Sequence, residues 1–259
     1  MVGTLLGDWL TVLILSVTRL ACALRFCPPF SESILTGPAR HVVVLLLALP
    51  ILPTVLTHQP HLQSPVVVLA FVTKEVVIGC CIGFLAAIPF RVIEIVGNLI
   101  DNQRGATMGE VLSPMSGAQE APLASFLMEV AMAFFYISGA VLLFLKTFYW
   151  SITLFPVTQG VAMTALLPGE LLGSVDGLMR LAVVLAAPVV LIMVLATLGL
   201  GLVNRSAPQL NVFFLSMPVK SALGIWVLLL GLRFLLEQMA ATPMEAWLQP
   251  LVQWFRLVE

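Results

Sequence analysis

The chain is short of charge. Only 10% of its 259 residues are Asp, Glu, Lys or Arg, whereas a soluble domain carries about a quarter because its surface must face water. So few charges cannot clothe a water-soluble globule, and the apolar surface must meet lipid, partner subunits or both. The two signs also nearly cancel, 12 basic against 13 acidic with a pI of about 6.3, which leaves no electrostatic basis for a nucleic-acid partner. Cysteine is scarce: Cys22, Cys27, Cys80 and Cys81 lie in or beside apolar runs. Their spacing fits no common zinc pattern, so they read as small hydrophobes with no metal or other cofactor. A Walker A motif, low-complexity tracts, a convincing internal repeat and a long hydrophilic segment are all missing. Residues 1–9 have no basic stretch and include Asp8, and no small-residue cleavage site follows, so the first apolar run reads as a retained helix and not as a secretory signal.

What the chain has is apolar length. Sixty per cent of it is hydrophobic and the mean hydropathy is +1.09. Spanning a bilayer takes roughly 20 apolar residues in a helix that satisfies its own backbone. Runs at 9–26, 41–57, 66–88, 123–145, 178–203 and 219–236 approach or meet that length. The expectation is an all-α, membrane-type protein with about six long apolar helices, kinked where Pro50, Pro53 and Pro188 fall. One compact unit over residues 1–259 is the simplest domain reading. Residues 90–104 place Arg91, Glu94, Asn98 and Asp101 on one helical face, an amphipathic pattern. Residues 146–176 are apolar but broken by Pro156, Gly160, Pro168 and Gly169, which predicts short or re-entrant helices. The segment 237–259, with Trp247, Trp254 and Phe255 among polar residues, suits a packed or interfacial helix. Counting basic residues on the alternate sides of a six-span topology gives six against four, too small a bias to fix orientation.

Four charges sit inside apolar runs: Arg19, Lys74, Glu75 and Glu129. At a bilayer centre a charged residue costs at least about 2.5 kcal/mol, so each needs a partner across helices or a wet surface. Lys74 and Glu75, as sequence neighbours, point about 100° apart and are not expected to face each other. The polar stretch 97–122 opens with Asp101, Asn102, Gln103 and Arg104 and is then punctuated by Gly and Pro. It also carries Met108, Val111, Leu112 and Met115, which an ordinary solvated loop has little use for. A loop buried in a cavity or pore fits better, since irregular backbone is tolerated there at membrane depth. A second polar hinge, 204–220, combines Asn204, Gln209 and Asn211 with Pro208 and Pro218.

These two hinges carry a resemblance. The run IDNQRGATMGEVLSPMSGAQEAPLASFL at 100–127 and the run NRSAPQLNVFFLSMPVK at 204–220 resemble the two signatures of the SctT/FliR family. In the second, Asn204, Pro208, Gln209, Leu210 and Asn211 carry the likeness; in the first, the DNQRGA stretch looks like the virulence injectisome branch more than the flagellar one. The resemblance implies the T subunit of a type III secretion export apparatus in the bacterial inner membrane, with much of the assembly at or above the periplasmic face. It implies several R and S subunits as partners in a helical export gate, with the U subunit (an autoprotease switch), the V subunit and inner rod and needle proteins nearby. It further implies a passive, non-enzymatic channel component with a loop that closes the resting channel. By position that loop is 105–122, with Gly105, Met108, Leu112, Pro114, Met115, Ser116 and Gly117 as the closure residues and the two glycines as hinges. Lys74, Glu75, Glu129 and the Asp101–Arg104 group are then expected in subunit contacts or buried polar positions.

Besides the flagellar branch of the family, two other functions compete. A secondary transporter using Lys74, Glu75 and Glu129 as a relay calls for paired repeats with broken helices in matching places, and Pro50 with Pro188 do not make such a pair. An intramembrane hydrolase built from Ser113 or Ser116 with His41, His58 or His61 has no motif behind it.

Overall fold

The computed structural model describes residues 2–31, 34–51, 65–105, 121–157, 170–206 and 212–241. Among these residues every regular element is helical, as the sequence predicts: α1 (Val2–Phe26), α2 (Pro38–Ala48), α3 (Pro65–Arg104), α4 (Pro122–Ile137), α5 (Ala140–Leu154), α6 (Glu170–Ser206) and α7 (Val212–Ala241). Two 3₁₀ turns, Pro28–Phe30 and Leu49–Ile51, complete the set. Proline opens α2, α3 and α4, where its fixed φ suits a first turn and its missing N–H costs nothing.

Among the described residues, three helices are long and apolar enough to cross a membrane: Val66–Arg104, Val175–Ser206 and Phe214–Arg233. The pair α4 and α5 makes a fourth if it is taken as one broken span. This is fewer than the six read from apolar runs. Of the run at 41–57, the described residues end at Ile51 and fall in the 11-residue α2 and the 3₁₀ turn at Pro50. The run at 123–145 is interrupted at Gly139, whose φ of +75° is left-handed and ends one helix before the next begins. In the opposite direction, the sequence separates 66–88 from an amphipathic 90–104, and the structure joins them in the 40-residue α3. Pro89 removes one backbone hydrogen bond, but Ala86, Ala87, Ile88 and Phe90 around it are all buried, and that packing carries the helix across. Proline inside α6 (Pro188) and α7 (Pro218) is likewise accommodated. The second hinge therefore narrows, with helix resuming by Val212.

The chain divides into two compact units, Met1–Ile88 with Gly139–Ser174 and Met244–Glu259, and Pro89–Ser138 with Val175–Pro243. In the first, α1 lies parallel to the N-terminal half of α3. Gly79 and Gly83 of α3 meet the backbone of Arg19 and Ala23 of α1, a constant offset of 60 residues. A Cβ on Gly79 would stand 2.9 Å from Cys22 Cβ, and one on Gly83 would stand 3.0 Å from Ala23 Cα. Small residues four apart allow this close approach of two helix backbones. Phe30 and Phe144 pack with ring centroids 6.0 Å apart, and Tyr149 of α5 donates its hydroxyl to Leu47 O of α2 at 2.9 Å. In the second unit the C-terminal half of α3 and α4 run antiparallel. Phe90 meets Phe135 edge to face at 5.3 Å, and Gly97 lies against Ala124.

Candidate functional site

The first unit encloses a charged cluster. Arg19, Lys74 and Glu75 are exposed by 1%, 4% and 0%, so each has left solvent and needs compensation. Arg19 donates from Nε to Glu75 Oε2 and from Nη2 to Glu75 Oε1 at 2.9 Å, a bidentate fork matched to the carboxylate plane. The same guanidinium reaches the C-terminal end of α5. Nη1 donates to Ser151 O at 3.0 Å and Nη2 to Phe155 O at 2.8 Å.

Lys74 Nζ donates to Pro156 O at 2.9 Å and Val157 O at 3.1 Å, and lies 5.3 Å from the centroid of the Phe71 ring. It also stands 3.1 Å from Glu75 Oε1. This overturns the expectation that Lys74 and Glu75 do not pair: the four-carbon stem brings the ammonium round to its neighbour. Two cations and one carboxylate leave one net positive charge. It faces the negative end of the α5 dipole and the carbonyls of the last turn and of the residues just beyond it.

The second unit holds a carboxylate at a helix end of opposite polarity. The residue before α4, Ala121, has no side chain that can cap, and Pro122 has no N–H. Asp101 of α3 takes that role from another helix. Its Oδ2 accepts from Leu123 N at 3.0 Å and from Ala124 N at 3.1 Å, and the residue is buried. A carboxylate on the N-terminal N–H groups satisfies both them and the positive end of the dipole. Arg104 Nη2 stands 2.6 Å from Asp101 Oδ1 as an ion pair without hydrogen-bond geometry. Beside it, a Cβ on Gly97 would fall 2.8 Å from Ala124 Cβ and 2.9 Å from Ala124 N. Gly105, left-handed at φ +80°, ends α3, with its N–H on Asn102 O at 3.2 Å. Asp101 and Gly97 thus fasten together the two helices that flank residues 106–120.

Of the residues singled out from the sequence, the structure draws Lys74 and Glu75 into the first cluster, and Asp101 and Arg104 into the second site. Asn102, Gln103, Glu129 and Asn204 lie on exposed positions of this chain. Met108, Leu112, Pro114, Met115, Ser116 and Gly117 fall outside the described residues, as do Pro208, Gln209, Leu210 and Asn211. Ser151 and the carbonyls of 155–157 were not foreseen, and nothing local in the sequence marks them. Gly79 and Gly83 were not foreseen either, although their four-residue spacing inside an apolar helix is a readable signal. Arg25 and Arg91 complete the picture of charge placement: Arg25 stands in the last turn of α1, and Arg91 pairs with Glu94 at 2.6 Å on the surface. Among the described residues no group of His, Cys, Asp and Glu is arranged to hold a metal ion. Cys27 is fully buried, and burial pushes its thiol up to about 12, which keeps it protonated and unreactive.

Comparison with known proteins places these features in a family. The family model for bacterial export proteins, family 1, matches residues 10–245. The chain is 33% identical over 233 residues to the Yop proteins translocation protein T of Yersinia pestis, covering 89% of each. It is 34% identical over 239 residues to the secretion system apparatus protein SsaT of Salmonella typhimurium, covering 89% of this chain and 90% of that one. It is also 32% identical over 161 residues to the flagellar biosynthetic protein FliR of Bacillus subtilis, covering 60% and 61%.

Proposed function

We propose that this chain, which belongs to family 1 of the bacterial export proteins and to the injectisome branch of the SctT/FliR group, is the T subunit of a type III secretion export gate. The observation that carries the reading is likeness along nearly the whole chain to proteins named for secretion and translocation. The scarcity of charge and the apolar helices agree with a protein of the bacterial inner membrane. In this reading the whole chain is one export module. It assembles with several R and S subunits into a channel for unfolded effector, needle and rod proteins, next to the U and V subunits. Much of that assembly sits at the periplasmic face, with apolar helices against other subunits instead of lipid. Exposed Leu195, Leu202, Trp226 and Leu230 on α6 and α7 supply such a surface.

Residues 105–122 form the plug of the resting channel, with Met108, Leu112, Pro114, Met115, Ser116 and Gly117 across the path. A plug has to be anchored at its base if it is to return to one position. Gly105 turns the chain out of α3, and Asp101 and Gly97 bind the far end to the same helix. Flexible methionine side chains suit a segment that reseals around a passing polypeptide.

Co-expression with candidate R and S subunits tests the assembly. The expected result is a stable co-purifying complex, and a chain that stays monomeric in their presence would sink the proposal. Deleting residues 105–117 should raise ion leakage through the assembled complex in planar bilayers. Unchanged conductance would make the loop a structural element only. The flagellar alternative rests on the FliR likeness, which covers less of the chain. Restored motility in a flagellar mutant lacking its own T-type subunit would favour it.

A further inference from the structure

The α4 helix has two unlike faces. Leu123, Ala124, Leu127, Ala131 and Phe135 are buried, and this side meets Asp101, Gly97 and Phe90 of α3. On the other side Ser125, Phe126, Glu129, Ala133 and Ile137 are exposed, Phe126 by 50% and Ile137 by 85%. Steps of three and four residues set them in one stripe. Glu129 is the one charged residue of α4. Glu75 and Asp101 of α3 meet cations of this chain, whereas among the described residues none pairs with the Glu129 carboxylate. It also stands midway along the helix, about 10 Å from either end at 1.5 Å per residue. The two methylenes of a glutamate are too short to carry the charge that far to water.

We propose that the outer face of α4 docks an apolar helix of another subunit, and that this helix carries a lysine or arginine opposite Glu129. Charge complementarity selects the occupant. Lipid tails offer a carboxylate no donor, and a headgroup does not reach the middle of the helix. A protein segment that lies there in place of lipid must bond its own backbone, which makes it a helix. A second copy of this chain, set face to face about a two-fold axis, would bring Glu129 against Glu129, so the partner is a different chain. Ser125 and Ala133 leave shallow places about one turn to either side of Glu129, where the incoming helix can approach closely. The proposal rests on the reading that this chain assembles with other secretion subunits, and it names the chemistry by which one of them is met.

The test is made on the full chain co-expressed with candidate R and S subunits, with a benzophenone photo-crosslinker in place of Ala133. Irradiation should join it to an R or S subunit, and mass spectrometry should map the joined site to an apolar helix with a lysine or arginine within about two turns. Glu129→Lys should lower the recovered complex about tenfold, as the loss of one desolvated ion pair implies, and Glu129→Gln should lower it less. Changing the mapped partner cation to glutamate should restore assembly with the Glu129→Lys chain and disrupt it with wild type. Circular dichroism of each variant without partners should match wild type, because position 129 is exposed. If Glu129→Lys does not fold, the mapped crosslink and the Glu129→Gln yield decide. A wild-type chain that does not co-purify with R and S subunits overturns the export-gate reading and the proposal together. A wild-type complex matched in yield by Glu129→Lys overturns the proposal alone. So does a crosslink from position 133 only to lipid or to a second copy of this chain, or one to a helix with no basic residue near the joined site.

Discussion

The two buried polar sites close helix ends of opposite polarity. At the C-terminal end of α5, Arg19 and Lys74 donate to the carbonyls of Ser151, Phe155, Pro156 and Val157. At the N-terminal end of α4, Asp101 accepts from Leu123 and Ala124. In each case the side chain comes from a different helix and its charge opposes the dipole it meets. They differ in what else they carry. The first is a buried network of three charges that draws α1, α3 and α5 together, with Glu75 as the carboxylate that both cations share. The second is smaller and spans the ends of a 15-residue segment, 106–120, that lies between α3 and α4. The first site therefore belongs to the stability of its unit, and the second to the position of the proposed plug.

Breaking the first site should have the largest effect. Glu75→Ala removes the carboxylate that the two buried cations share, a loss of about 3–5 kcal/mol for breaking a buried ion pair. The variant is expected to fail to accumulate or to melt far below wild type in detergent. Exchanging the charges, Arg19→Glu with Glu75→Arg, restores the net charge but should not rescue. A carboxylate at position 19 cannot donate to the Ser151 and Phe155 carbonyls. Rescue would show that the cluster acts through charge balance alone.

A smaller loss is expected where the second site relies on close backbone approach. Gly97→Leu has to push α4 away from α3 at Ala124, at about 1–3 kcal/mol for an overpacked contact, measured as a lowered melting midpoint. A midpoint equal to wild type would mean that the contact is not tight. The smallest loss sharpens the contrast between the sites. Asp101→Ala removes the cap from α4 at about 0.5–2 kcal/mol, and Asp101→Asn should lose less because its amide oxygen still accepts. The informative reading is the ratio of two measurements: Asp101→Ala should raise channel leakage well out of proportion to its modest effect on melting. If leakage is unchanged while stability falls, Asp101 is only a helix cap.

Some of this architecture is legible in the chain itself. Runs of 18 or more apolar residues dictate helices, because a backbone without water must bond to itself. The Gly and Pro positions near 50 and 105 mark where helices end. Others mislead. Pro89 reads as a boundary and is bridged, and Gly139 interrupts a run that reads as one span. At Pro89 the local preference is worth only a few kcal/mol and the buried neighbours outweigh it, whereas at Gly139 the left-handed glycine prevails over the apolar run. Arg19, Lys74 and Glu75 stand out as costly charges, but their partners do not. Ser151 lies 132 residues from Arg19, and no periodicity encodes a contact at that separation.

The sequence by itself determined that this protein is helical, apolar and poor in charge, and that the few charges within its helices must be compensated. The tertiary structure alone decided how. It set Arg19 and Lys74 against the carbonyl end of α5 and Asp101 against the amide end of α4. The division has a physical cause. Helix formation and the cost of burying a charge are local properties of a residue and its near neighbours, whereas the choice of partner depends on which helix ends the fold brings alongside.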